Sequence, residues 1–455
     1  MSTIKECEEY LLNIPKFKKK TLLKDTVRFY EVLGSPAKDI PKIHVAGTNG
    51  KGSTCFYISE ILKAHGIKTG LFTSPHLVSV TERFKFGDEY ITEEEFVAVF
   101  EKVKQTCELF DDEEKNLMHP SFFEFLFLMF MEWMQMKKAD AIVLETGLGG
   151  MLDATNIFPD PKVCVIASVG IDHIEQLGNT LESIASQKAG IIKEGVPVVI
   201  GETNGHPEVR DVFLQTATRL GCTIHFADEE EFPDMDSELK GEYQRANMHT
   251  VQCALWELRK QDYYAELLTP EAVEEGLAHI MELTGLRGRW QQLHEQPRVV
   301  CDAGHNIAGI QYVVQQLLKQ PCRRLHVVFG MVDDKDYATA TRLLRQLCQR
   351  DTAFYFTQPS SSRALPAAEL AAAFEAAGTA GFMENVQETE AYEKSEAPGN
   401  TVTSKTPTSV QTFPTVGAAL DAAMNAASPN DFIFVGGSCY VLADLFLLPL
   451  AADVS

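Results

Sequence analysis

The chain has 455 residues, 45% hydrophobic and 23% charged, an ordinary globular composition long enough for two or three domains with a sizeable core. Its formal net charge of −23 excludes the broad basic surface that nucleic acid or an anionic membrane needs, so neither is an expected partner, while a small anionic substrate stays open because a local site can be basic on an acidic protein. Ten cysteines, from Cys7 to Cys439, form no CxxC pair and no zinc-ligand spacing, which reads as reduced thiols in a cytoplasmic protein.

The N-terminus lacks a basic segment followed by an apolar run, so no secretory leader is expected. Lys42 to Ala46 reads as a short strand before a glycine-rich turn. Thr54 to Ala64 then reads as a helix, with Ile58, Ile61 and Leu62 at helical spacing and Gly66 just past its end. Thr69 to Thr73 is the next strand. The densest apolar stretch, Phe122 to Trp133, carries Glu124 and Glu132 and falls short of a membrane span, so it reads as a buried helix. Ala141 to Leu144 and Val163 to Ala167 are continuous apolar runs, as in strands buried on both faces. Strand and helix signals that alternate in this way predict a parallel-rich sheet flanked by helices.

A glycine-bearing segment, Thr284 to Gly288, precedes a second strand–helix series and marks the expected domain boundary. Strands are predicted at Arg298 to Cys301, Leu325 to Phe329, Ala353 to Phe356 and Asp431 to Val435. Residues Met383 to Thr412 are polar and rich in Glu, Thr, Ser and Pro, the composition of a flexible surface insertion. There is no internal repeat. The fold class that follows is α/β: an N-terminal phosphate-loop, ATPase-like domain over 1–285 and a smaller C-terminal Rossmann-like α/β domain over 286–455.

The sharpest feature is Gly47-Thr48-Asn49-Gly50-Lys51-Gly52-Ser53-Thr54, set between a strand and a helix. Glycines let backbone N–H groups turn toward a phosphate, the helix N-terminus adds positive dipole, and Lys51 supplies a charge for the β- and γ-phosphates. Ser53 is a candidate for reaching a magnesium ion. The spacing departs from the usual phosphate loop: Gly52 stands between the lysine and the hydroxyl residue, and only Thr48-Asn49 separates the first two glycines.

This loop, preceded by His44-Val45-Ala46, resembles the folylpolyglutamate synthases and the wider Mur-ligase superfamily. The resemblance continues in order through Thr73-Ser74-Pro75-His76-Leu77 with Glu82-Arg83, then Glu145 to Gly150 with Leu152 to Asn156. Next come Gly170-Ile171-Asp172-His173 with Leu177, Gly178 and Thr180, and Lys188 to Lys193. Gln244 and Asn247 resemble a pair near the adenine site, and Asp302 to Asn306, followed by Asp334-Lys335-Asp336, resembles the C-terminal domain's motif. Two departures stand out. Met151 occupies a position that is usually basic, and the family's Asp-Gly-Ala-His-Asn-Pro reads Asp302-Ala303-Gly304-His305-Asn306-Ile307.

The resemblance implies an ATP-dependent ligase that joins L-glutamate to a folate, with ATP and magnesium as cofactors and no covalent enzyme nucleophile. It implies Ser74, Glu145 and His173 as magnesium ligands, and Lys188 as a further ligand once carbamylated. It also implies Ser74, Pro75 and His76 as substrate contacts, and Arg289, Asp302 and His305 as residues that close over ATP, with Arg289 stabilising phosphate charge. The residues alone support part of this. Glu145 and Asp172-His173 follow apolar strands, at the carboxyl edge of a parallel sheet where ligands bind. Taken alone, Lys188 reads as an exposed helical lysine, His173 as a hydrogen-bonded loop histidine and Arg289 as a solvated charge. The expected protein is a cytoplasmic monomer with folate and L-glutamate as its partners. Dihydrofolate synthase, joining glutamate to dihydropteroate, is the enzymatic alternative, alone or combined in one bifunctional enzyme. A nucleotide-binding regulator without ligase activity is the alternative of another class.

Overall fold

The computed structural model describes residues 3–14, 23–108, 119–203, 205–232, 239–261, 286–379 and 408–452, with 264, 269, 271 and 273. Two units of contact divide the chain: 1–238 with 243–286, and 239–242 with 287–455. The short stretch Leu239–Glu242 thus counts with the second unit although its sequence neighbours belong to the first.

In the first unit an eight-stranded sheet is built from β1 (Lys42–Ala46), β2 (Thr69–Phe72), β3 (Phe84–Phe86), β4 (Glu89–Tyr90), β5 (Ala141–Glu145), β6 (Val163–Ser168), β7 (Val198–Glu202) and β8 (Ile224–Phe226). Their order is β4-β3-β2-β5-β1-β6-β7-β8. The pairs β2–β5, β5–β1, β1–β6, β6–β7 and β7–β8 are parallel, and only the β2–β3–β4 edge is antiparallel. Every residue of β1, β5 and β6 is buried, which explains their unbroken apolar runs. Phe72, Ile142 and Leu144 pack with the helix Phe122–Lys137, while Cys164, Ile166, Val198 and Ile200 pack with the helices Leu181–Ala189 and Pro207–Arg219. The helices Lys51–Ala64 and Gln244–Arg259 pack on the sheet and on each other.

The helix Phe122–Lys137 is buried without a break from Glu124 to Met134. Its two acids are compatible with that burial because each has a partner: Glu124 accepts from Thr26 Oγ1 at 2.6 Å, and Glu132 from Lys102 Nζ at 2.6 Å. No helix among the described residues is long and apolar enough to cross a membrane.

The second unit holds a six-stranded sheet of β9 (Gln291–Glu295), β10 (Arg298–Asp302), β11 (Leu325–Phe329), β12 (Thr352–Thr357), β13 (Ser409–Phe413) and β14 (Phe432–Gly436), in the order β13-β12-β11-β14-β10-β9. All its pairings are parallel except β10–β9. One expectation is corrected here. The stretch 383–412 reads as a flexible insertion, yet Ser409–Phe413 is a strand paired in parallel with β12 from Ala353 to Thr357. Its side chains are only partly buried, as an edge strand allows, so the pairing left no apolar run in the sequence. Residues 383–407 lie outside the described residues.

Candidate functional site

The glycine-rich loop leaves β1 at the centre of the first sheet and enters a helix at Lys51, so Gly52, Ser53 and Thr54 belong to the first turn of that helix rather than to the loop. Gly47 has φ +156° and Gly50 φ +79°. A Cβ on Gly50 would stand 2.2 Å from Asn247 Oδ1, so both the backbone conformation and the space require glycine there. The helix is capped by Gly50 with no side-chain hydrogen bond, and its first N–H groups form the positive end of a 14-residue helix.

The end of β6 holds the loop in place. Thr48 N donates to Ser168 O at 2.8 Å, Asn49 N donates to Ser168 Oγ at 3.0 Å, and Ser168 Oγ donates to Asn49 O at 3.0 Å. Thr48 Oγ1 accepts from Gly170 N at 3.0 Å and donates to Gly170 O at 3.1 Å. Lys51 arches back, and its Nζ donates to Gly47 O and Thr48 O, each at 3.1 Å. Ser53 is 1% exposed and its Oγ accepts from Gln244 Nε2 at 3.2 Å, while Gln244 Oε1 accepts from Asn247 Nδ2 at 2.8 Å. The Gln244–Asn247 pair therefore buttresses the phosphate loop, and Ser53, expected to reach a metal, is engaged in that buttress. The next hydroxyl, Thr54 Oγ1, is buried without a hydrogen-bond partner, as is Thr146 Oγ1 beside Glu145.

Glu145 closes β5, is 3% exposed, and accepts from Ser74 N at 2.8 Å, which joins it to the loop after β2. Within that loop, Arg83 Nε donates to His76 Nδ1 at 2.8 Å. Beyond Glu145 a glycine-rich turn is organised by Asp153, whose role the sequence did not disclose. Its Oδ2 accepts from Gly147 N at 2.8 Å and Leu148 N at 2.9 Å, and its Oδ1 accepts from Thr155 N at 3.0 Å and Thr155 Oγ1 at 2.5 Å. Burial raises the Asp153 pKa against the pull of these bonds. Thr155 Oγ1 also meets His44 Nε2 at 2.8 Å; burial pushes that imidazole down to about 3, and because the Thr155 hydroxyl donates to Asp153, Nε2 is the donor of this bond.

Lys188 reverses the bare reading of its sequence. It is 2% exposed, and burial, reinforced by Lys51 and opposed by Asp172, holds its amine well below the usual lysine range. Its helix is stitched to the Asp153 turn: Met151 N donates to Gln187 O at 2.8 Å, and Asn156 Nδ2 donates to Met151 O at 3.2 Å and Gly190 O at 3.0 Å. His173 is exposed in a left-handed conformation (φ +50°), its N–H bonded to Asp172 Oδ1 at 2.8 Å and its Nε2 3.9 Å from Asp172 Oδ2. No group of three or more His, Cys, Asp and Glu side chains stands at metal-binding distance among the described residues. The Glu145 carboxylate and the unpartnered hydroxyls of Thr54 and Thr146 are hard oxygen donors, the type a divalent ion accepts alongside phosphate and water. A separate shallow cavity, lined by Gly34, Lys38, Asp39, Gln135 and Asp140, precedes β1 and β5, at the edge of the sheet opposite the loop.

In the second unit Asp302 ends β10, is 3% exposed, and accepts from Trp290 N at 2.8 Å and Gly304 N at 2.8 Å. It fixes the backbone on both sides of the motif. His305 Nδ1 lies 3.0 Å from Ala303 O and 4.0 Å from Cys439 Sγ. Burial pushes the Cys439 thiol up, but His305, Arg289 and Lys335 outweigh it and bring the pKa below the ordinary value. The sequence did not single out this cysteine, whose thiol is influenced by Arg289, His305 and Lys335. Arg289 itself donates to Gly288 O at 3.2 Å.

The Mur ligase middle domain matches residues 45–257, and the Mur ligase glutamate ligase domain matches residues 288–439. The dihydrofolate synthase/folylpolyglutamate synthase of Bacillus subtilis (strain 168) is 34% identical over 360 residues, covering 73% of this chain and 80% of that protein. The chain belongs to the folylpolyglutamate synthase/dihydrofolate synthase family of Mur ligases. Family members of known structure share the whole fold. E. coli FolC in complex with DHPP and ADP aligns over 100% of this chain and 99% of its own, at 26% identity and a TM-score of 0.80. The bifunctional folylpolyglutamate synthase/dihydrofolate synthase from Yersinia pestis CO92, complexed with AMPPNP and Mn ion, aligns over 98% of both chains at 28% identity and a TM-score of 0.77.

Proposed function

We propose that this chain is an ATP-dependent ligase that adds L-glutamate to the glutamate carboxylate of a folate. The observation that carries the reading is the loop stapled to β6, with a helix start that receives no side-chain cap bond, set beside a buried Glu145 that ends the neighbouring strand. It is a phosphate site next to a metal-binding carboxylate, in a family whose members join glutamate to folates.

In the reaction the substrate carboxylate attacks the γ-phosphorus of ATP, ADP leaves, and an acyl phosphate forms. The amine of the incoming glutamate then attacks the acyl carbon, and phosphate departs from a tetrahedral intermediate. The helix start and the loop N–H groups hold the phosphates, and Lys51 exchanges its loop carbonyls for the β/γ-phosphate oxygens. Gln244 and Asn247 keep the loop in register with the helix that follows it. Ser74, Glu145 and His173 would hold magnesium, which neutralises charge on the transferring phosphoryl group. Burial lowers the Lys188 amine pKa and so favours the uncharged form that reacts with carbon dioxide, and the carbamate would supply a further metal oxygen. Arg289, with Asp302 and His305 shaping its surroundings, would stabilise phosphate charge. Ser74, Pro75 and His76 would contact the folate. The reading carries with it a monomer acting in the cytoplasm on two small molecules.

The second reading, that the same site also joins glutamate to dihydropteroate, is favoured by the bifunctional B. subtilis and Y. pestis relatives. One assay tests both. Purified protein with ATP, magnesium and glutamate is given tetrahydrofolate or dihydropteroate, and ADP is followed. ADP formed only when glutamate and an acceptor are both present supports a ligase, and the acceptor used decides between one activity and two. ADP release indifferent to both acceptors would overturn the ligase reading.

A further inference from the structure

The loop that joins β2 to β3 is held by two side chains to which no part of the reaction has been assigned. Glu82 takes three consecutive backbone donors: Leu77 N at 2.7 Å on Oε2, and Val78 N and Ser79 N at 2.8 Å each on Oε1. The same residue completes a capping box with Ser79 at the start of the short turn Val80–Arg83. A carboxylate that receives three N–H groups fixes the path of that backbone more firmly than neutral side-chain bonds do. Arg83 follows directly. It is 7% exposed, its guanidinium lies 5.6 Å over the Phe122 ring, its carbonyl accepts from Thr73 N at 3.3 Å, and its Nε donates to His76 Nδ1 at 2.8 Å.

The direction of that last bond is chemically informative. An arginine N–H can only donate, so Nδ1 of His76 is the acceptor and carries no proton. The ring is then neutral with its hydrogen on Nε2, and protonation at Nδ1 requires loss of the Arg83 bond. At the other end of the loop, Ser74 N is tied to Glu145. The segment 74–79 is therefore fixed at the metal-side carboxylate by Ser74, along its backbone by Glu82, and at His76 by Arg83.

We infer that Glu82 and Arg83 are positioning residues for the folate-like acid: Glu82 sets the backbone path of the loop, and Arg83 fixes His76 as an Nε2–H donor for a carbonyl or carboxylate oxygen of that substrate. This rests on the ligase reading above. With Nδ1 occupied by the Arg83 N–H, the hydrogen that His76 can offer a substrate oxygen lies on Nε2.

The test has two arms. In protein labelled with 15N-histidine, the His76 ring, identified by its disappearance in His76→Gln, should show a protonated Nε2 and an unprotonated Nδ1 at pH 7. A proton on Nδ1 overturns the inference. With active wild-type enzyme, Arg83→Ala should raise KM for the folate acceptor roughly tenfold, the order of one lost charge-assisted hydrogen bond, while kcat and KM for ATP move by less than about twofold. Arg83→Gln keeps an N–H donor and should recover part of the loss, and Glu82→Gln should shift the same KM without changing the tautomer. An equal rise in KM for ATP, or a fall confined to kcat, overturns the inference. Should Arg83→Ala fail to fold, the wild-type spectrum and Glu82→Gln still decide. Failure of the ligase reading itself shows separately, as wild-type protein that forms no ADP in response to acceptor and glutamate.

Discussion

Lys51 folds back over its own loop, its Nζ donating to the carbonyl oxygen of Gly47 at 3.1 Å. The bond to Thr48 O has the same length, and both bonds are local, made within the loop that Lys51 itself ends. Lys51→Ala should therefore leave the fold intact and act on the chemistry. Loss of one preorganised charge at the phosphoryl group costs on the order of 10²–10³ in turnover. Steady-state ATP cleavage beside a melting curve checks this, and near-normal turnover in a folded variant would remove Lys51 from the mechanism.

Two glycines with almost the same backbone separate strain from contact. Gly50 has φ +79° and Gly66 φ +80°, but a Cβ on Gly50 meets Asn247 Oδ1 at 2.2 Å, while one on Gly66 meets nothing within 4 Å. Alanine at either position should cost about 1–2 kcal/mol from the left-handed conformation. Only Gly50→Ala should also raise KM for ATP, because it pushes Asn247 and with it Gln244 and Ser53. Equal effects of the two variants on ATP use would show that the buttress plays no part.

Lys42 begins β1, is 3% exposed, and donates to the carbonyls of Ala37 and Lys38. Burial brings its pKa down to about 8, against the attraction of Asp160 and Asp39. At high pH, above the unfolded pKa, the amine is neutral in both states. As pH falls from there toward about 8, the unfolded chain takes up a proton that the folded one does not, so stability declines and then stays low. Measured by denaturant unfolding from pH 8 to 10.5, wild type should gain up to about 3 kcal/mol relative to Lys42→Met. A difference that stays constant with pH contradicts the shifted amine. The two lost hydrogen bonds offset the curves uniformly and leave the slope untouched.

The polar stretch after Phe374 can be divided at a definite point. Its composition offers little apolar surface to bury, so exchange of 383–407 for a short glycine/serine linker should leave turnover and melting temperature nearly unchanged. Extending the replacement through Phe413 removes β13 from the edge of the second sheet and exposes the ladder of β12. That longer replacement should lower the melting temperature by several degrees. Equal melting of the two would mean that β13 contributes nothing to the unit, and a large loss from the shorter one would show that 383–407 matter to it.

Much of the architecture was legible because its signals are local. Continuous apolar runs marked β1, β5 and β6, since strands covered on both faces have no polar side to interrupt them. Gly47, Gly50 and Lys51 announced the phosphate loop, because a backbone that turns its amides toward an anion needs glycine at specified positions. Edge elements were less legible: β13 and β4 bury few side chains, so their pairing leaves little mark in the local sequence.

The site itself divides along the same line. Residue types and their spacing alone place Glu145, His173 and Asp302 at strand ends and turns along the chain. Tertiary structure alone decided what those groups touch. Lys188 looks like a surface lysine until the loop 147–156 is stitched across its helix and burial strips water from the amine. Asp153 and Glu82 look like ordinary charges until backbone N–H groups gather around them, and Arg83 until it meets the His76 ring. Cys439 differs from the other cysteines only because His305, Arg289 and Lys335 converge on it from elsewhere in the second unit. Local periodicity fixes an element and its buried face, but burial, pKa and hydrogen-bond direction depend on groups brought together over a hundred residues or more, as Ser168 and Asn49 are, and only the folded chain sets them.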